Sequence, residues 1–152
     1  MKRLFLAVTV LLAGFTACGY AGLGETSAQL EAGYGTAVDI RKDDTGRIFT
    51  KYYLYDGFGI SVRFLNGTSQ CETCMKQDKS AISGQEITAI LKANALGSDW
   101  LGVYRSPGFQ RWELKSRKAT AVYYRSTHTL VVETKEFIRS GSKIIPVDPS
   151  AH

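Results

Sequence analysis

Two glycine-containing dipeptides in the middle of the chain place the tightest constraint on how it can fold. Asp56-Gly57 and Asn66-Gly67 each stand between stretches rich in aromatic and β-branched residues. Such dipeptides favour two-residue hairpin turns, because both central residues of the turn adopt positive φ. The stretches that they separate are therefore predicted to pair as a three-stranded antiparallel meander. These stretches are Ile48–Tyr55, Phe58–Leu65 and 68–75.

The middle stretch alternates in the way expected of a strand with one buried face. Its large apolar residues fall at every second position, and smaller or charged residues fall between them. Because successive side chains of a strand point to opposite faces, the apolar set is predicted to share the core side of the sheet. The apolar set is Phe58, Ile60, Val62 and Phe64.

Two capping boxes predict helices ahead of two groups of strands. Ser83 stands three residues before Glu86, and Thr26 three before Gln29, so each pair can satisfy backbone amides at a helix start. Three further β-like stretches follow the second helix, and 136–139 adds a helical turn or a strand end. These stretches are 111–115, 119–125 and Thr129–Thr134.

The predicted fold class is therefore α+β. It has an antiparallel sheet of about six strands, built from two helix-plus-three-strand units with both helices on one face. Each unit alone would bury too small a core, so the strands are expected to join in one sheet.

The start of the chain has the features of a signal for export. Met1-Lys2-Arg3 is followed by the apolar run 4–15, which is too short to span a bilayer as a helix. We predict a signal peptide over 1–21, a single α+β domain over 22–145 and a flexible tail over 146–152. The removal of Lys2 and Arg3 without any acid lowers the formal charge from +5 to +3. A charge of that size does not indicate nucleic-acid binding.

Two cleavage positions remain open. Thr16-Ala17-Cys18-Gly19 is similar to the bacterial lipobox, in which the cysteine receives the lipid. The alternative cut follows Ala21 and discards Cys18. Lipidation of Cys18 would tether the domain to a membrane as a periplasmic or outer-membrane-associated lipoprotein, whereas the other cut gives a soluble secreted protein.

Two segments resemble known exported bacterial modules. The helix-Gly-strand segment 29–37 and the strand-turn segment 60–67 are similar to those of the SmpA/OmlA-type outer-membrane lipoproteins and the β-lactamase-inhibitor-like domains. The resemblance implies a non-catalytic module that binds other proteins or supports envelope assembly.

Cys71-Glu72-Thr73-Cys74 is the most distinctive local motif. Export favours oxidation, so a Cys71–Cys74 disulfide is predicted, although residues three apart on a strand need a turn or bulge to bridge. Two unpaired thiols are one alternative. The other is a thiol-redox site, which normally places its first thiolate at a helix N-terminus, and no helix follows for about ten residues.

Other catalytic and metal motifs have simpler explanations. The two histidines, His128 and His152, have no ligand at a useful spacing, so no metal site is predicted. Asp44-Thr45-Gly46 matches the aspartic protease triplet, but charged residues flank it and a solvated turn explains it. We therefore expect no catalytic residue and no cofactor.

The segment 105–125 combines cations with aromatic residues. One interpretation is a docking surface for an envelope protein or an anionic envelope surface, and the other is that the aromatic residues pack in the core while the cations cover the sheet. The predicted function is an exported, non-catalytic envelope binding or scaffolding module. Its candidate contact residues are Trp100, Tyr104, Arg105, Arg111 and Lys115.

Overall fold

The structure is a computed structural model that describes residues 20–141. Cys18 and the predicted tail 146–152 lie outside the described residues. The described part contains three helices, α1 Ser27–Tyr34, α2 Gly84–Ala93 and α3 Lys135–Arg139. It also contains eight strands: β1 Asp39–Lys42, β2 Ile48–Tyr55, β3 Phe58–Leu65, β4 Thr68–Lys76, β5 Trp100–Arg105, β6 Phe109–Leu114, β7 Ala119–Tyr124 and β8 Thr129–Thr134.

The eight strands form one antiparallel sheet. Their order is β1-β2-β3-β4-β8-β7-β6-β5, so two four-stranded meanders meet at the central β4–β8 pair. That pair is antiparallel and places Cys74 opposite Leu130 and Glu72 opposite Val132. Helix α1 precedes the first meander and α2 the second. The chain therefore consists of two helix-plus-four-strand halves within a single sheet.

The prediction of about six strands from two helix-plus-three-strand units is wrong. The two strands that it missed, β1 and β5, are the outer edges of the sheet. An edge strand pairs on one side only, and here most of its side chains are exposed, so its residues show no alternation between apolar and polar. Alternation of apolar and polar residues, which identifies an inner strand, is therefore absent from the two edge strands.

The hairpins of the first meander are confirmed. Strands β2 and β3 have the predicted bounds, and β4 is one residue longer. Asp56 and Asn66 adopt φ of 48° and 54°, and the glycine after each adopts 78° and 81°, as the turn type requires. Gln70 is an extra residue in β4, because Arg63 pairs with Cys71 and Phe64 with Ser69.

The main core lies between the helices α1 and α2 and one face of the sheet, which we call the helical face. Both predicted capping boxes are present, with Thr26 and Ser83 as N-caps. The predicted apolar side of β3 faces this core. The larger residues of the core include Leu30, Tyr34, Tyr53, Phe58, Ile60, Val62, Ile90, Leu91, Leu114, Leu130 and Val132.

The other face of the sheet, which we call the open face, carries a much smaller cover. Helix α3 packs there against β4 and β8. Phe137 of α3 buries Cys71 and Val131 in a second small cluster. Because α3 has five residues, it covers the middle of the open face and leaves the β5–β7 end uncovered.

Candidate functional site

Three aromatic side chains form a row across the uncovered end of the open face. Tyr104 of β5, Phe109 of β6 and Tyr124 of β7 lie on neighbouring strands. The ring centroids of Tyr104 and Phe109 are 5.3 Å apart, and those of Phe109 and Tyr124 are 6.5 Å apart. Tyr104 is 56% exposed and Tyr124 43%. We call these three residues the aromatic row.

The neighbouring sheet edge extends this apolar surface. Leu101 and Val103 of β5 are both about half exposed. Strand β5 pairs with β6 alone, so its outer backbone groups have no partner strand among residues 20–141. Aromatic and aliphatic side chains beside an uncovered edge are typical of a contact surface for another protein.

Charged groups border the aromatic row toward the middle of the sheet. Arg111 is the register partner of Tyr104 and therefore shares its face. Burial raises the pKa of Glu133 on β8, while the nearby cations Lys135, Arg111 and Arg63 oppose that rise. The open face thus changes from aromatic at the β5–β7 end to a mixed-charge strip at its centre.

The structure separates the five predicted contact residues. Tyr104 and Arg111 lie together on the open face. Trp100 packs against the core instead, where its indole N–H donates to the carbonyl of Leu91. Arg105 pairs with Gln110 and faces the opposite side from Tyr104, and the Lys115 ammonium lies 2.9 Å from Asp99 at the far end of β6.

Sequence reasoning left Phe109 and Tyr124 out of the candidate site. The alternation of side chains along a strand assigns each aromatic residue to one of the two faces of the sheet. Tyr123 points into the core, where its hydroxyl accepts a hydrogen bond from the Ile82 amide at 3.2 Å, so Tyr124 must point to the open face. Trp112 likewise packs against the core.

The two cysteines of β4 are free thiols in the structure. Cys71 belongs to the small cluster under α3 and Cys74 to the main core, so their side chains lie on opposite faces of β4. The predicted disulfide is therefore not formed here. Burial raises the pKa of Cys71 to about 12 and that of Cys74 well above its ordinary value. Thiols in that state are poor nucleophiles, which gives no support to a redox site.

A buried carboxyl group is the most perturbed acid of the described residues. Glu72 of β4 is fully buried, and burial raises its pKa to about 7 despite hydrogen bonds from Asn94 and Tyr34. The Asn94 amide donates to Oε2 of Glu72 at 2.8 Å and the Tyr34 hydroxyl lies 2.8 Å from Oε1. A perturbed acid is a candidate for catalysis. Here it is enclosed between α1, α2 and the sheet, so we assign it a structural role.

Two remaining motifs are also accounted for. Asp43, not Asp44, organises the turn between β1 and β2, and its carboxylate accepts from the Thr45 hydroxyl at 2.6 Å and the Arg47 amide at 3.0 Å. His128 is half-buried in the β7–β8 turn, with Nδ1 2.8 Å from the carbonyl oxygen of Lys79. Within residues 20–141, no group of three or more histidine, cysteine or acidic residues could hold a metal ion.

Comparisons with protein-family models, with curated proteins and with solved structures find no match. The resemblance to SmpA/OmlA-type and β-lactamase-inhibitor-like modules therefore stays a prediction. In the part of the chain that the structure describes, no helix is long and apolar enough to cross a membrane.

Proposed function

We propose that this chain is an exported, non-catalytic protein-binding module of the cell envelope that contacts its partner through the aromatic row. The observation that supports this most strongly is the unequal cover of the sheet. Two helices seal the helical face, while Tyr104 and Tyr124 stay exposed on the face that only α3 covers. A sheet with one sealed and one aromatic face is well suited to present a rigid contact surface.

The composition of this surface agrees with the energetics of protein interfaces. Tyrosine and arginine are enriched among the residues that dominate binding free energies, and Arg111 borders Tyr104. The aromatic side chains sit on paired strands, so ordering them on binding costs little conformational entropy. Exposed apolar side chains at the adjoining edge strand β5 enlarge the area that a partner could bury.

The first described residues support lipid attachment at Cys18 over a cut after Ala21. Tyr20 makes edge contacts with the rings of Tyr55 and Phe58, at centroid distances of 5.6 and 6.0 Å. Ala21 is buried, and its carbonyl accepts a hydrogen bond from the Tyr34 hydroxyl at 2.6 Å. A cut after Ala21 would remove both residues, whereas a cut before Cys18 keeps them in the folded protein.

The mass of the intact protein from its native host tests this part of the proposal. We expect a chain that begins at Cys18 and carries acyl groups, because that product retains the contacts of Tyr20 and Ala21. A product that begins at Gly22 without lipid would contradict the anchor, while leaving the binding surface to be tested separately.

Site-specific photo-crosslinking tests the contact surface itself. We expect p-benzoylphenylalanine in place of Tyr104 or Tyr124 to give a discrete adduct with one envelope protein in host cells. Phe49 is a matched control position, because it is 41% exposed but lies in the other half of the sheet. Tyr104→Ala should reduce the adduct formed from position 124 without unfolding the domain, because Tyr104 is exposed.

Two results would contradict the proposal. One is an adduct of equal yield from position 49, and the other is no adduct from either row position in a protein whose circular dichroism is unchanged. An adduct with lipid alone would indicate that the open face contacts an anionic envelope surface instead of a protein.

A further inference from the structure

A cleft of about 510 Å³ lies at the end of the sheet opposite the aromatic row. The β6–β7 turn and the β8–α3 junction form its walls, and Gly24 of the N-terminal segment contributes to its lining. Four cationic side chains line it, against the single carboxylate of Glu136. The four are Arg117, Lys118, Lys135 and Arg139, and we call this feature the cationic cleft.

Hydrogen bonds between its walls hold the cationic cleft in shape. The backbone amide of Lys135 donates to the carbonyl of Lys118 at 2.8 Å, which ties the turn to the start of α3. Behind it, the Thr134 hydroxyl donates to Oε1 of Gln70 at 2.6 Å in a buried position. Because the walls are fixed to β4 and β8, the backbone positions that carry the four cations are fixed around the cleft.

Most of this positive charge is not neutralised by the protein. The Lys135 ammonium lies 3.3 Å from Glu113. Arg117, Lys118 and Arg139 have no acidic partner within 4.0 Å among residues 20–141. Cations with no acid beside them raise the local potential and attract an anion.

The backbone conformation at position 117 favours glycine over arginine. Arg117 adopts φ of 57°, in the left-handed region that favours glycine. Glycine would fit this turn with less strain, so the fold itself does not require an arginine at position 117. The guanidinium at this position instead adds a two-pronged donor to the cleft, which suits phosphate oxygens.

We infer that the cationic cleft binds a small soluble molecule carrying two or more phosphate groups. Its volume lies in the range typical of small-molecule sites, about 300–1,000 Å³, and exceeds what one phosphate needs. The two arginines and Lys118 would bind the phosphate oxygens, with Lys135 adding charge.

A soluble polyphosphate and the headgroup of a lipid carry the same phosphate chemistry, and the two probes below distinguish these sources. The inference does not depend on the proposed function, because the cleft and the aromatic row lie at opposite ends of β7.

Isothermal titration of the purified domain with tripolyphosphate tests this inference, with vesicles of phosphatidylcholine and phosphatidylglycerol as the second probe. We expect Arg117→Gly and Arg139→Ala each to weaken tripolyphosphate binding roughly tenfold, the effect of one lost charge-assisted hydrogen bond. Arg117→Gly should also unfold at the same or a higher temperature, so weakened binding cannot be attributed to a damaged fold.

Lys79→Gly is the matched control. Lys79 is an exposed cation at φ of 61°, so the substitution removes the same charge from the same backbone conformation away from the cleft. Tripolyphosphate binding that is lost in the cleft variants but kept in Lys79→Gly supports the inference. Binding to vesicles alone would reassign the ligand to a lipid headgroup and overturn the soluble ligand. No binding of either probe, or equal losses in Lys79→Gly, would overturn the site.

Discussion

Asn94→Ala is expected to lower the free energy of unfolding by about 3 kcal/mol, because Asn94 satisfies several buried groups at once. The Asn94 side chain is fully buried after the end of α2. Its Oδ1 accepts the Leu23 amide at 2.8 Å, and its Nδ2 donates to Glu72 at 2.8 Å and to the Ile90 carbonyl at 3.0 Å. Alanine would leave the Leu23 amide and the Glu72 carboxyl short of partners and open a cavity. Urea denaturation followed by circular dichroism measures the loss.

Thr88→Ala on the same helix is the control for this prediction. Thr88 is exposed and its hydroxyl bonds only the Gly84 carbonyl among the described residues, so we expect a loss below about 0.5 kcal/mol. If Asn94→Ala cost no more than Thr88→Ala, the buried network would not stabilise the fold in the way that we describe.

The inner strands and the helix starts could be predicted from the sequence, because their signals are local. A turn dipeptide specifies its own φ angles, and a capping box joins residues three apart. The edge strands β1 and β5 could not be found in this way. Their residues are mostly exposed, so nothing in their pattern distinguishes them from loops until the neighbouring strand is in place.

The contact surface and the buried network depend on pairings that are distant in sequence. Tyr104 and Arg111 were within reach of prediction because charge and aromatic content marked the segment. The assignment of Trp100 to the core depended on where α2 lies. The sequence places Glu72 within a cysteine motif and gives no sign of its partners Tyr34 and Asn94, which are 38 and 22 residues away. Patterns among neighbouring residues cannot predict a network whose members are so distant in sequence.

Buried hydrogen bonds hold the carboxyl group of Glu72 between separate segments of the chain. The Tyr34 hydroxyl has one proton, and it lies 2.6 Å from the Ala21 carbonyl and 2.8 Å from Oε1 of Glu72. The hydroxyl is the donor toward both oxygens, so its one proton is shared between the Ala21 carbonyl and Glu72. The carboxyl group of Glu72 therefore links the N-terminal segment, α1 and α2, and burial favours its neutral form.

The stability of the domain should consequently fall as pH rises through this titration. The folded pKa of Glu72 is about 7, above its ordinary value of 4.5, because burial disfavours the anion and the Glu25 carboxylate adds to the effect. The folded state therefore holds more protons than the unfolded state between these values, and the stabilisation present below pH 4.5 is lost as pH rises through 7. A shift of this size corresponds to about 3 kcal/mol.

Glu72→Gln isolates this effect, because glutamine has the same shape and stays neutral. From acid to neutral pH, we expect the wild type to lose about 3 kcal/mol of unfolding free energy relative to Glu72→Gln. Over the same pH range the wild type should gain stability relative to Glu86→Gln, because the Lys76 ammonium beside Glu86 lowers the pKa of its carboxyl. That carboxyl stabilises the fold when ionised and loses this effect as pH falls. A wild-type profile parallel to that of Glu72→Gln would mean that the carboxyl of Glu72 does not titrate with folding.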